Sequence, residues 1–168
     1  MGDYPWYYLW THSWGFSANC ITFDAPPSGA VPPLCVSRLT ALKNLSLSNC
    51  KSLASLPDLG DFKSLVDLDL RECESLRTLP DSIGGLIKLN DLNLKNCVSL
   101  TALPSTIGGM VALTYLTLTG CSNLAALPDE IGELKSLTTL YLNKCARLTA
   151  LPTSFTNLVQ LEELHTKD

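Results

Sequence analysis

The sequence predicts an α/β repeat solenoid: a curved stack of short units with a parallel β-sheet on its concave face and short 3₁₀ or helical turns on its convex face. Three observations carry that reading. Cys50, Cys73, Cys97, Cys121 and Cys145 recur at a nearly constant step, 23 once and then 24 three times. Pro57, Pro80, Pro104, Pro128 and Pro152 keep the same step. Inside each unit an alternating apolar stretch is followed by apolar residues three apart, the pattern of a strand and then a tight turn. A fixed period of this length marks stacked repeats, and because one unit buries nothing alone, strand must lie beside strand at about 4.8 Å.

Taken in order, residues 1–17 hold Trp6, Trp10, Trp14, Tyr4, Tyr7, Tyr8 and Phe16 with one charge, Asp3, and match no repeat. They are expected to form an aromatic N-terminal cap over the end of the stack, in preference to an aromatic binding surface or a tail, against which the aromatic content argues. Residues 18–38 read as a degenerate repeat. Ile21-Thr22-Phe23 stands one full period before Leu45-Ser46-Leu47, and Pro33, Val36, Leu39 and Leu42 reproduce the spacing of Pro80, Ile83, Leu86 and Leu89. Clear repeats on that period then occupy 39–168.

Each clear unit reads Leu-x-x-Leu-x-Leu-x-x-Cys-x-x-Leu-x-x-Leu-Pro-x-x-Ile-Gly-x-Leu-x-x, as in Leu113 to Ser136. The alternation in Leu92-Asn93-Leu94 is a short strand with one buried face. The proline of Leu-Pro has no N–H for a ladder and holds its predecessor extended. Asp81, Ser105 and Asp129 follow it, short polar side chains suited to cap one turn. Ile83, Leu86 and Leu89 give that turn an apolar side, and the one shorter unit lacks a residue after Pro57. Strand centres are expected at Thr22, Ser46, Asp69, Asn93, Thr117, Tyr141 and His165.

Phrases such as Leu118-Thr119-Gly120-Cys121-Ser122-Asn123-Leu124 and Leu127-Pro128-Asp129-Glu130-Ile131-Gly132 resemble leucine-rich repeat proteins, and within them the repeats of plant intracellular disease-resistance receptors. Ras-binding scaffold repeats share Leu-Pro-x-x-Ile-Gly but are one residue shorter. The resemblance covers Leu39 to Asp168 and implies a right-handed curved leucine-rich repeat solenoid with a role in protein binding and defence-related ligand sensing. The nucleotide-binding loop of a complete resistance receptor is missing here, so receptor signalling is not carried over.

Composition bounds the function classes. The chain has 168 residues, 46% hydrophobic and 17% charged, enough for one domain with a core. A net charge of -4 offers no basic excess for nucleic acid or anionic lipid. No window approaches the ~20 apolar residues of a membrane span, and MGDYPWYYLW lacks a basic n-region, so a cytoplasmic location is expected. The cysteine column is read as small buried side chains in a reducing compartment. Zinc is disfavoured, with no Cys-x-x-Cys pair and only His12 and His165. Cys20 and Cys35 fall outside the column and are not expected to be bonded to each other. Asn44-Leu45-Ser46 is read as a chance match to a glycosylation acceptor. No phosphate-binding loop, nucleophile elbow or His-Glu-x-x-His occurs. No enzyme activity, cofactor or metal is expected.

Binding is expected on the concave face, where residues flanking the strand leucines form columns. The first column is Asn44, Asp67, Asp91, Tyr115, Thr139 and Glu163; the central one Ser46, Asp69, Asn93, Thr117, Tyr141 and His165; the third Ser48, Arg71, Lys95, Thr119, Asn143 and Lys167. Tyr115 and Tyr141 are the favoured contacts for a protein or peptide partner. Asp67, Asp69, Asp91, Arg71 and Lys95 come second, with Asn93, Thr117 and Asn143 completing the surface. The chain ends on a strand with no capping unit after it, which reads either as a fragment or as an edge for self-association through Leu161, Leu164 and His165, giving a homodimer.

Overall fold

The computed structural model describes residues 40–167 and, for the backbone alone, residues 14–17 and 20–23. Within these residues eight strands form one open sheet in sequence order: β1 (Trp14–Ser17), β2 (Cys20–Phe23), β3 (Asn44–Ser46), β4 (Asp67–Asp69), β5 (Asp91–Asn93), β6 (Tyr115–Thr117), β7 (Thr139–Tyr141) and β8 (Glu163–His165). β2 to β8 run parallel, and β1 returns antiparallel on β2. Ile21 pairs with Leu45 and Thr22 with Ser46, the register that the repeat offset predicts. The side chains of residues 1–39, and with them the aromatic cap and Cys35, lie outside the described residues.

From β3 on, each strand is three residues long and centred on its core-facing leucine: Leu45, Leu68, Leu92, Leu116, Leu140 and Leu164. The centres therefore fall one residue before the expected Ser46, Asp69, Asn93, Thr117, Tyr141 and His165, which are the last paired residues. Beyond β3 to β7 the chain turns away through a residue in the left-handed region, at Asn49, Glu72, Asn96, Gly120 and Lys144. Backbone bonding between rungs continues into that turn, where Asn49 N–H donates to the Arg71 carbonyl at 2.8 Å and Asn96 N–H to the Thr119 carbonyl at 2.7 Å.

The convex turns are 3₁₀ segments: η1 (Asp81–Gly85), η2 (Ser105–Gly109), η3 (Asp129–Glu133) and η4 (Thr153–Asn157). The expected caps Asp81, Ser105 and Asp129 do not cap. The preceding proline occupies the N-cap position with extended backbone, no side-chain cap bond is made, and Ile83 N–H donates instead to the Pro80 carbonyl. Asp81 is thus already inside the turn, where its carboxylate contributes charge rather than a bond. The shorter unit replaces the turn altogether. Gly60 N–H donates to Asp58 Oδ1 at 2.7 Å, Leu59 N–H reaches Ser82 Oγ on the next unit at 2.8 Å, and the buried Phe62 takes its place in the core.

One core runs the length of the stack, built from the strand leucines, the cysteines and the turn residues Ile83, Ile107 and Ile131. Successive turns stack closely because Gly84 has no Cβ; one would collide with the Thr106 backbone carbonyl of the next turn. The cysteine column is stitched rung to rung. Cys73 Sγ donates to the Leu47 carbonyl at 3.2 Å, Cys97 to Leu70 at 3.1 Å, Cys121 to Leu94 at 3.2 Å and Cys145 to Leu118 at 3.1 Å. No helix among the described residues is long and apolar enough to cross a membrane.

Candidate functional site on the concave face

Strand pleating sends Leu68 inward and Asp67 and Asp69 outward, and parallel register repeats this on every rung. Asp67 stands opposite Asp91, Asp91 opposite Tyr115, Tyr115 opposite Thr139 and Thr139 opposite Glu163. Asp69, Asn93, Thr117, Tyr141 and His165 form the neighbouring column in the same pairings. The structure therefore brings the sequence-expected residues of these two columns onto one surface, while Arg71, Lys95 and Asn143 follow two residues beyond each strand.

The rungs differ in how far their side chains are engaged. Asp69 is held: Arg71 Nε and Nη2 donate to its Oδ2 at 2.9 and 2.8 Å, Arg71 N–H donates to Oδ1 at 3.1 Å, and Ser46 Oγ donates to Oδ2 at 3.3 Å. Asn44, with its amide turned to satisfy both neighbours, donates to Asp67 and to the Lys43 carbonyl. Asp91 has no such cation. Its half-buried carboxyl is pushed above the usual carboxylate range by burial first and by the charges of Asp67 and Asp69 second. Asn93 Oδ1 accepts the Lys95 N–H at 3.1 Å, and Asn143 Nδ2 donates to the Lys167 carbonyl at 3.0 Å, so both amides brace the chain just beyond a strand.

The two tyrosines are not equivalent. Tyr115 is 45% exposed, whereas Tyr141 is half-buried and its ring stacks on His165 at 4.5 Å between centroids. His165 also places Nε2 3.3 Å from Glu163 Oε2. That histidine, expected at a self-association edge, is thus engaged with the aromatic column. Its position one repeat after Tyr141 is the sequence signal for that stack. Thr139, between Tyr115 and Glu163, is only 6% exposed and makes a neutral dip in the first column.

At the far end, Leu164 is 41% exposed, while Leu140 in the same column is fully buried. Leu161 is half-buried against the edge of the core. At this end of the stack an open cleft of about 320 Å³ is lined by residues including Leu142, Cys145, Leu148, Leu151 and Thr166.

Among the described residues no three His, Cys, Asp or Glu side chains converge as a metal site would require. Burial raises the thiols of Cys97 and Cys121 to about 12, which favours the protonated form that donates to the backbone carbonyls. What the face offers is exposed polar, charged and aromatic surface on a rigid sheet.

The fold is a leucine-rich repeat solenoid, an open parallel sheet alternating with short 3₁₀ turns. It superposes on the leucine-rich repeat domain of the type III effector XopL with a TM-score of 0.64 at 30% identity, over 76% of this chain and 43% of that one. A leucine-rich repeat protein of Leptospira interrogans is 27% identical, with a TM-score of 0.47 over 77% of this chain and 44% of that one. The leucine-rich repeat ectodomain of the Arabidopsis thaliana receptor kinase GASSHO1/SCHENGEN3, solved with CASPARIAN STRIP INTEGRITY FACTOR 2, is 24% identical, with a TM-score of 0.42 over 76% of this chain and 18% of that one. The chain spans less than half the length of each. No family model matches the sequence, and no curated protein does either.

Proposed function

We propose that this chain is a non-catalytic interaction module that binds a protein or peptide across its concave face. The observation that carries this reading is Tyr115, a large ring 45% exposed on an interior strand whose own leucine, Leu116, is fully buried. Partly exposed tyrosines on a rigid support make contact area at small entropic cost and are enriched among residues that dominate binding energy. The charged pair of rungs β4 and β5 adjoins it. Ligand sensing of the resistance-receptor kind and a reducing, cytoplasmic setting are the finer parts of the same proposal, the second supported by the buried Cys73, Cys97 and Cys121, whose thiols donate to backbone carbonyls. The test is partner capture with the wild type and with Tyr115→Ala. Loss of about tenfold or more in affinity is expected from the exposed ring, with unchanged thermal unfolding; a partner that binds the variant equally well places the site elsewhere.

A second reading has its own observation. The part-exposed Leu164 lies beside a cleft of mixed polar and apolar lining, and a second copy of the chain pairing β8 with its own counterpart would cover both. Its measure is particle mass against concentration.

A further inference from the structure

The charges of the concave face are sorted by column. On β4, β5 and β8 the acid comes first and the base third: Asp67 before Arg71, Asp91 before Lys95, and Glu163 before Lys167. The rungs between, β6 and β7, are neutral at these positions. On β4 and β5 this sorting leaves Asp67, Asp91 and Lys95 without an ion-pair partner among the described residues, while Arg71 has Asp69. Asp67 stands opposite Asp91 in register, a like-charge pairing that costs stability.

Resting on the concave-face reading, we propose that the partner is an extended, zwitterionic protein segment laid across β4 and β5, its basic side chains against Asp67 and Asp91 and its acidic side chains against Arg71 and Lys95. A partner of one sign satisfies one column and is repelled by the other. In an extended chain, neighbouring side chains point to opposite sides, so a Lys or Arg next to an Asp or Glu reaches both columns at once. The columns are separated by four steps of extended backbone, about 13 Å. Side chains on one side of such a segment recur every ~6.8 Å while rungs recur every ~4.8 Å. The two repeats therefore stay in step over two rungs and not over more. Beyond these two adjacent rungs the next position in the first column is Tyr115, which takes an apolar side chain from the same segment.

The test uses four dye-labelled ten-residue peptides: alternating Lys-Glu, the same composition as one Lys block and one Glu block, all Lys and all Glu. Fluorescence anisotropy gives the affinities, and amide shifts of the labelled protein map the contact. The alternating peptide is expected to bind most tightly, with Asp91→Asn and Lys95→Gln each weakening it about three- to fivefold. Lys95→Glu is expected to transfer the preference to the all-Lys peptide. The proposal is overturned if the block or a single-sign peptide matches the alternating one, if neither variant changes its affinity, or if none of the four binds. Shifts confined to β4–β6 without preference for the alternating peptide sink the charge pattern alone. Shifts that fall only outside the concave face sink the site as well.

Discussion

The residue before each core cysteine sits at positive φ: 62° at Asn49, 60° at Glu72 and Asn96, 78° at Gly120 and 59° at Lys144. Each follows by two the leucine just beyond a strand, and the cysteine N–H closes the turn on that leucine's carbonyl, as Cys97 does on Leu94 at 3.1 Å. Such a turn demands the left-handed region at its third residue, which glycine and asparagine enter cheaply and other side chains do not. Asn49, Asn96 and Gly120 fit the demand; Glu72 and Lys144 carry its cost. Lys144→Gly is therefore expected to stabilise the protein by up to about 1 kcal/mol. Gly120→Ala is expected to cost about 1–2 kcal/mol, since its new Cβ would also meet the Asn96 side chain on the neighbouring rung. Urea unfolding midpoints of the two variants check both signs at once, and a Gly120→Ala protein as stable as wild type would refute the account.

At the scale of the element, β4 and β5 hold an unfavourable pair, and pH exposes it. Burial and the neighbouring Asp67 and Asp69 raise the Asp91 pKa in the folded chain. A carboxyl whose folded pKa is raised holds its proton more tightly folded than unfolded. Its ionisation thus destabilises the fold at neutral pH, and the penalty is relieved as pH falls through the folded value. Asp91→Asn is expected to raise stability at pH 7 by no more than about 1 kcal/mol, since the group is solvent-screened. The gain should vanish by about pH 4, where the unfolded carboxyl also protonates. Denaturant midpoints of both proteins at the two pH values decide it; a gain that persists in acid would point to packing. This pairing was legible as a column of aspartates spaced by the repeat. The failure of Asp81, Ser105 and Asp129 as caps was not, because residue type gives no warning that the proline itself takes the cap position. Nor could the identity of the 57–62 substitute turn be read from a missing residue, since it rests on the Ser82 hydroxyl of the next unit.

At the scale of the whole molecule, the cysteine and proline steps determined the order and register of the sheet, because a stack with one buried face per rung tolerates no slip. Exposure, in contrast, depends on neighbours above and below, so the sequence could not tell Tyr115 from Tyr141 or show how far Leu164 stands out. The corresponding leucines are 1% exposed or less from Leu45 to Leu140 because a rung lies on each side of them, while Leu164 remains 41% exposed. A three-residue strand edge falls well short of the ~1,200 Å² that a stable interface buries. Association through β8 must therefore also cover Leu161, Leu164 and the cleft beside Leu148 and Leu151. Light scattering after size exclusion is expected to show a mass that rises with concentration and returns to that of one chain in Leu164→Asp. Because that side chain is already part-exposed, the variant should keep its far-ultraviolet spectrum and cooperative unfolding. A wild type that stays at 18.2 kDa at every concentration would rule out the edge as a self-association site.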